Sequence, residues 1–139
     1  MPRQDVDDAV AAAFDRYNVA ELACDPWGWQ SDIERWSKRR GARKVLEWPT
    51  HAASRMGPAT DRMYQAVTDG LISHDGHARL AQHLANCVAR PSPYGDLVAK
   101  DRRGSPRKID ATVAAIVTLD RSAWHFANTR TRRVVVLTR

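Results

Sequence analysis

The stretch "VAELACDPWGWQ", residues 19–30, runs from an apolar segment into a single carboxylate, Asp25, followed at once by Pro26. An apolar run of about six residues closed by a turn signal reads as a short buried strand. The Asp-Pro pair that closes it has two readings. Asp is a favoured N-cap and Pro a favoured first helical residue, so Asp25 serves simply to open the next helix. In the other reading, the carboxylate is a ligand held at the end of a strand for chemistry. Both stay open at this point.

Outward from this segment the chain alternates between elements. Val6, Val10, Ala13, Phe14 and Tyr17 recur at helical spacing and predict a surface helix over residues 5–18. Trp29, Ile33 and Trp36 predict a second helix over residues 26–40, with Gly41 as its C-cap. The segment "KVLEWP" reads as a second short strand closed by Pro49. Gly57-Pro58 is read as punctuation, with Pro58 in the first turn of a helix that runs to Gly70 and carries Met63, Ala66 and Val67 on its apolar side. Leu80, Leu84, Cys87 and Val88 predict a further helix after "SHDGH". "GDLVAK" reads as a strand, and residues 109–124 as a strongly apolar helix with Val113, Ile116 and Val117. Helices alternating with short strands indicate an α/β layer architecture. The organisation expected is one domain over residues 1–125 and a basic tail over residues 126–139.

A chain of 139 residues with 43% hydrophobic content is long enough to bury a core. It has no apolar run of membrane-spanning length and no basic-then-apolar leader, so the expectation is a soluble, intracellular chain with no membrane partner. Cys24 and Cys87 stand singly, which fits buried, reduced thiols. The net charge of +6 is concentrated in "RWSKRRGARK" (residues 35–44), "KDRRGSPRK" (residues 100–108) and "RTRRVVVLTR" (residues 130–139). Such clusters suit a polyanion, whose counterions they release, although solvated helix ends and a tail account for them equally well.

Several chemistries are excluded by pattern. There is no GxxxxGK[ST] loop, no GxGxxG after a strand, no GxSxG elbow and no CxxC pair. His74, His77 and His83 lack the spacing of a zinc site. The carboxylates remain. Asp110 opens the most apolar helix, where an acidic residue also interacts well with the macrodipole. That helix is expected to pack on the sheet. If the strand before Asp25 is central, the two carboxylates then approach each other, and a hard divalent cation such as Mg²⁺ or Mn²⁺ would offset their repulsion. The five tryptophans are read as core.

Three segments, "VAELACDPWGWQSDIERW", "LISHDGHARLAQHLANCV" and "RKIDATVAAIVTL", stand in an order and spacing that resembles the C-terminal nuclease part of the terminase large subunit of tailed bacteriophages. The similarity runs from about residue 5 to residue 123. Its most specific pieces are the strand-Asp-Pro motif, the stretch from His77 to Asn86, and the Lys-Ile-Asp-Ala opening of the last helix.

The resemblance implies a partial ribonuclease H-like fold, with short central strands flanked by helices. It implies cleavage of concatemeric double-stranded DNA through two Mg²⁺ or Mn²⁺ ions held by an acidic cluster, of which Asp25 and Asp110 match two members. The family's other essential aspartate lies on an upstream strand that this chain is expected to lack, so the chain alone is expected to cut weakly or not at all. Lys100, Lys108 and His74 are the candidate DNA contacts, the alternatives being solvated lysines and a histidine that caps a helix or serves a local hydrogen bond. The partners implied are the terminase ATPase and upstream nuclease segment, the small terminase subunit and the portal, in the cytoplasm of an infected or lysogenic bacterium. His83 and Asn86 are assigned to packing and loop hydrogen bonds. The alternative is a non-catalytic fragment that binds DNA or contacts the motor.

Overall fold

A computed structural model describes residues 2–128, which fall into two compact units divided after Thr50. The basic segment 130–139 and most of the tail lie outside the described residues.

The first unit contains α1 (Arg3–Arg16), β1 (Leu22–Cys24), α2 (Gln30–Arg40) and β2 (Val45–Glu47). The two strands pair in parallel, with Leu22 opposite Val45 and Cys24 opposite Glu47. Parallel neighbours need a crossover, and α2 supplies it. The crossover buries its apolar stripe: Ile33 and Trp36 pack with Val45, and Val6, Val10, Leu22, Cys24 and Trp29 close around them. Gly41 ends α2 at φ +100°, as expected of a C-cap glycine, and the basic residues of the last turn, Lys38, Arg39 and Arg40, face the negative end of the helix dipole.

Helix α1 buries no residue of its own. Val6 and Val10 pack half-buried against the core, and ion pairs add to that attachment. Arg3 and Arg35 both pair with Asp32, which is 3% exposed, and Asp7 takes Arg35 at 2.9 Å and the indole N–H of Trp36. Two cations around one buried carboxylate satisfy the requirement that a buried charge be paired.

The second unit contains α3 (Ala53–Thr68), α4 (Ala78–Ala85), β3 (Cys87–Arg90), β4 (Leu97–Lys100) and α5 (Asp110–Asn128). Strands β3 and β4 form an antiparallel pair, from Cys87 opposite Lys100 to Arg90 opposite Leu97. Helix α5 lies against α3 and α4. Met56, Ala59, Ile116 and Val117 are buried.

Several expectations are corrected. Helix α2 starts at Gln30, not at Pro26, because Gly28 adopts φ +74° and residues 26–29 form a turn closed by the Trp29 N–H on the Pro26 carbonyl at 3.0 Å. Helix α3 starts at Ala53, five residues before Pro58, which sits inside it. The helix read through Val88 ends at Ala85, because Cys87 and Val88 are drawn into pairing with β4. Strand β1 is shorter than the apolar run, since residues 19–21 do not pair. Among the described residues it has one neighbour, β2. The last helix packs on helices, not on a sheet. The chain is mixed α/β, with two separate two-stranded sheets among the described residues.

Gly57 leaves no room for a side chain. A Cβ there would collide with the backbone carbonyl of Tyr94. Its missing side chain also relieves the clash that a residue before proline suffers in helical conformation.

Candidate functional site

Asp25 follows β1 and is half-buried. Its Oδ1 accepts the backbone N–H of Trp27 at 3.1 Å, an Asx turn, and its Oδ2 accepts the hydroxyl of Thr50. It is not the cap of α2: the N-cap position is Trp29, which makes no side-chain cap bond. The carboxylate is therefore fixed at the C-terminal end of the parallel pair, where the Trp48 N–H bonds the Cys24 carbonyl at 2.7 Å. Beside it Trp27 is 82% exposed, and Trp124 is 48% exposed in α5. The expectation that all five tryptophans are core holds for Trp36 and Trp48, which are buried, and fails for these two. Trp27 stands in the turn after β1, and Trp124 sits near the far end of α5.

Asp110 is the first residue of α5 and is exposed. Among the described residues its carboxylate makes no hydrogen bond or ion pair. The segment around it is held by α4. His83 Nδ1 accepts the backbone N–H of Ala111 at 2.9 Å, Asn86 Nδ2 donates to the Lys108 carbonyl at 2.9 Å, and Gln82 Nε2 donates to Asn86 Oδ1 at 3.2 Å. These residues, with Arg107 and Lys108, line an open cleft of about 510 Å³. The assignment of His83 and Asn86 to loop hydrogen bonds is borne out. One signal available in the sequence is Ile109, which precedes the helix and has no side-chain acceptor to cap it.

The remaining expected site residues, His74, Lys100 and Lys108, occupy distinct places. His74 lies exposed in the segment 71–77, where its Nδ1 accepts the Gly76 N–H at 3.0 Å. His77 caps α4 by accepting the Arg79 N–H at 3.1 Å. Lys100 ends β4 and donates to the Ser105 carbonyl at 3.2 Å, closing the turn between them. The Lys108 side chain is exposed. In the same turn the Ser105 hydroxyl holds the Asp101 carboxyl below its usual range, helped by its bond to the Arg102 N–H and by the charges of Arg107 and Arg102. Asp101 is the single acidic residue of segment 100–108, against five Lys and Arg.

Asp25 belongs to the first unit and Asp110 to the second. Each offers hard oxygen donors of the kind Mg²⁺ and Mn²⁺ take. Among the described residues no group of three or more His, Cys, Asp or Glu is gathered that would hold a metal ion. Cys24 and Cys87 are free and half-buried, and burial pushes the Cys24 thiol up to about 11, away from the thiolate a metal would need. No helix among the described residues is long and apolar enough to cross a membrane.

No solved structure matches the chain. Two phage proteins are similar to it: Gene 13 protein of Mycobacterium phage D29, 30% identical across 84% of this chain, and Gene 13 protein of Mycobacterium phage L5, 29% identical across the same share. In each the matched region is 21% of the phage protein, so the chain spans about a fifth of the length of these relatives. The model of the terminase large subunit endonuclease domain matches residues 3–126, from the start of α1 into the last turns of α5, and thereby takes in both Asp25 and Asp110. The chain belongs to the family of terminase large subunit endonuclease domains.

Proposed function

We propose that the chain is the endonuclease portion of a phage DNA-packaging terminase large subunit, cutting concatemeric double-stranded DNA by Mg²⁺- or Mn²⁺-dependent hydrolysis in a ribonuclease H-like site. The observation that carries this reading is the family match over residues 3–126, which includes the free carboxylate of Asp110 at the head of α5. Members of this family are generally dependent on divalent metals, and the chemistry of the donors at Asp25 and Asp110 fits such ions. Metal ions held by Asp25 and Asp110 would supply activation of a water and stabilisation of the leaving oxygen of the phosphodiester.

The residues of this chain divide the work. Asp25 and Asp110 are the ligands. Asp25 is oriented by Trp27 and Thr50, and Asp110 is presented by the end of a helix. Further carboxylate ligation comes from polypeptide outside the described residues, consistent with the short β1–β2 pair being one part of a larger sheet. Lys100, Lys108 and His74 contact DNA phosphates, the lysines as point charges that fix position without reading sequence. The larger protein works with its ATPase, the small terminase subunit and the portal, in the cytoplasm of an infected or lysogenic bacterium.

A second reading, a non-catalytic fragment that binds DNA or contacts the motor, draws on the two acidic residues lying in different units and on the basic segment 100–108. Plasmid cleavage with Mg²⁺ or Mn²⁺ separates the two, assayed for this chain alone and for the chain fused to the polypeptide that precedes the corresponding region in a full-length terminase. Weak or no cleavage alone and robust cleavage when fused, abolished by Asp25→Ala or Asp110→Ala, is the expected result. Salt-sensitive DNA binding with no cleavage in either form supports the second reading.

A further inference from the structure

We propose that His83 and Asn86 are positioning residues for Asp110, holding its carboxylate free for a divalent cation, an inference that rests on the reading of Asp110 as a metal ligand. The argument begins with helix termini. The first N–H groups of α5 have no partner within the helix and must find one elsewhere. The usual solution is a Ser, Thr, Asp or Asn just before the helix, whose side chain accepts the N–H of the second or third helical residue. Here that preceding residue is Ile109, which has no acceptor; its carbonyl takes the Val113 N–H at 3.1 Å, and nothing on its side chain serves Ala111. His83 does so from another helix, through Nδ1 at 2.9 Å.

This matters because a carboxylate is otherwise close at hand. Asp110 directly precedes Ala111, and an aspartate is able to accept the N–H of its next neighbour: Asp101 does this with the Arg102 N–H at 3.1 Å. Without His83, Asp110 is the nearest side-chain acceptor for the Ala111 N–H, and one carboxylate oxygen folds back onto the helix end. With His83 in place both oxygens stay free, and Asp110 has no partner among the described residues.

Asn86 secures the other side. It donates to the carbonyl of Lys108, two residues before Asp110, and its own amide is oriented by Gln82. One turn at the end of α4 thus grips the backbone on both flanks of Asp110, at Lys108 and at Ala111.

The test is a titration of the ¹⁵N-labelled 139-residue chain with Mn²⁺, reading paramagnetic broadening of the backbone amides of residues 109–112. Wild-type protein is expected to broaden there, and Asp110→Asn is not. His83→Ala is expected to need about tenfold more Mn²⁺ for the same broadening, the scale on which residues supporting a ligand act. His83→Asn, whose side-chain oxygen falls where Nδ1 lies, is expected to restore most of the response, and Asn86→Leu to weaken it in the same direction as His83→Ala. If His83→Ala loses a folded spectrum, the comparison of His83→Asn with His83→Gln decides, since both carry the same amide and only Asn places its oxygen correctly. A folded His83→Ala or His83→Gln that titrates like wild type overturns the positioning role while leaving Asp110 a ligand. Wild-type protein that broadens no more than Asp110→Asn overturns the ligand reading itself, and the positioning role with it.

Discussion

Replacing Gly57 with alanine is expected to destabilise the chain, against the usual rule for helices. Gly57 lies within α3, where exchanging glycine for alanine ordinarily stabilises by about 0.5–1 kcal/mol. Here the added Cβ would run into the Tyr94 carbonyl, a backbone atom that cannot swing away like the end of a side chain. The turn carrying Tyr94 is itself tied down: Ser92 Oγ donates to the Gly95 carbonyl at 2.6 Å and accepts the Tyr94 N–H at 3.1 Å. On the other side of that turn, Gly95 sits at φ +103° with the Asp61 carboxylate where its own Cβ would be, 2.5 Å away. Relief therefore requires α3 and the turn to part, and overpacking of this kind costs about 1–3 kcal/mol. The clash with Pro58 adds to the cost. Set against the helical gain, the net expectation is a loss of about 1–2 kcal/mol, or roughly 3–8 °C in Tm for a chain of this size. Thermal unfolding followed by circular dichroism measures it, with Ser54→Ala, exposed on the same helix, as a reference expected within about 0.5 kcal/mol of wild type. A Gly57→Ala variant as stable as wild type, or more so, would refute the close approach of α3 to the Tyr94 backbone.

Other expectations follow from the same contacts. Arg35, and next the Trp36 indole, hold the Asp7 carboxyl below its ordinary 3.8, so its contribution to stability is present above that value and is lost as pH falls through the lower folded one. Acid unfolding followed by tryptophan fluorescence should show this loss below about pH 4, and Asp7→Asn should flatten it. Trp36 is 5% exposed and stacked on Trp29 with ring centroids 6.2 Å apart, so Trp36→Ala should cost about 3–5 kcal/mol in denaturant unfolding; a cost under about 1 kcal/mol would contradict its place in the core. The Cys24 thiol, raised to about 11 by burial, should carry about a hundredfold less thiolate than an ordinary cysteine and alkylate correspondingly slowly near pH 8; rapid labelling at Cys24 would show that it is not shielded.

The elements legible in the sequence were those whose periodicity and burial agreed. Ile33 and Trp36 marked α2 and Ile116 and Val117 marked α5 because both helices bury those stripes locally. Misreadings arose where a tertiary partner overrode a local pattern. Cys87 and Val88 continue the helical spacing of Leu80 and Leu84, yet their backbone pairs with Lys100 and Ala99, a partner that no window around residue 87 contains. Pro58 reads naturally as a first helical residue, but α3 tolerates it in its interior, preceded by a glycine that packs on the Tyr94 turn. Of the candidate site, the two aspartates are legible as residues standing at element boundaries, and both occupy such boundaries. Their surroundings were not: Thr50 reaches Asp25 across 25 positions and His83 reaches Ala111 across 28, distances over which spacing carries no signal.

Helix α1 is attached to the first unit partly through charge, and that part of its attachment responds to the surroundings. Burial of apolar surface is nearly indifferent to added salt, whereas attraction between partly exposed charges is screened within about 10 Å at 0.1 M and about 3 Å at 1 M ionic strength. With no buried residue of its own and with Arg3, Asp7 and Asp15 each engaged in an ion pair to α2, α1 is expected to open before α2 does. Its amides should exchange with deuterium before those of α2, and faster as salt is raised. Each opening lays bare the stacked Trp29 and Trp36, so the same event that frees α1 turns a shielded core face into an apolar surface open to another chain.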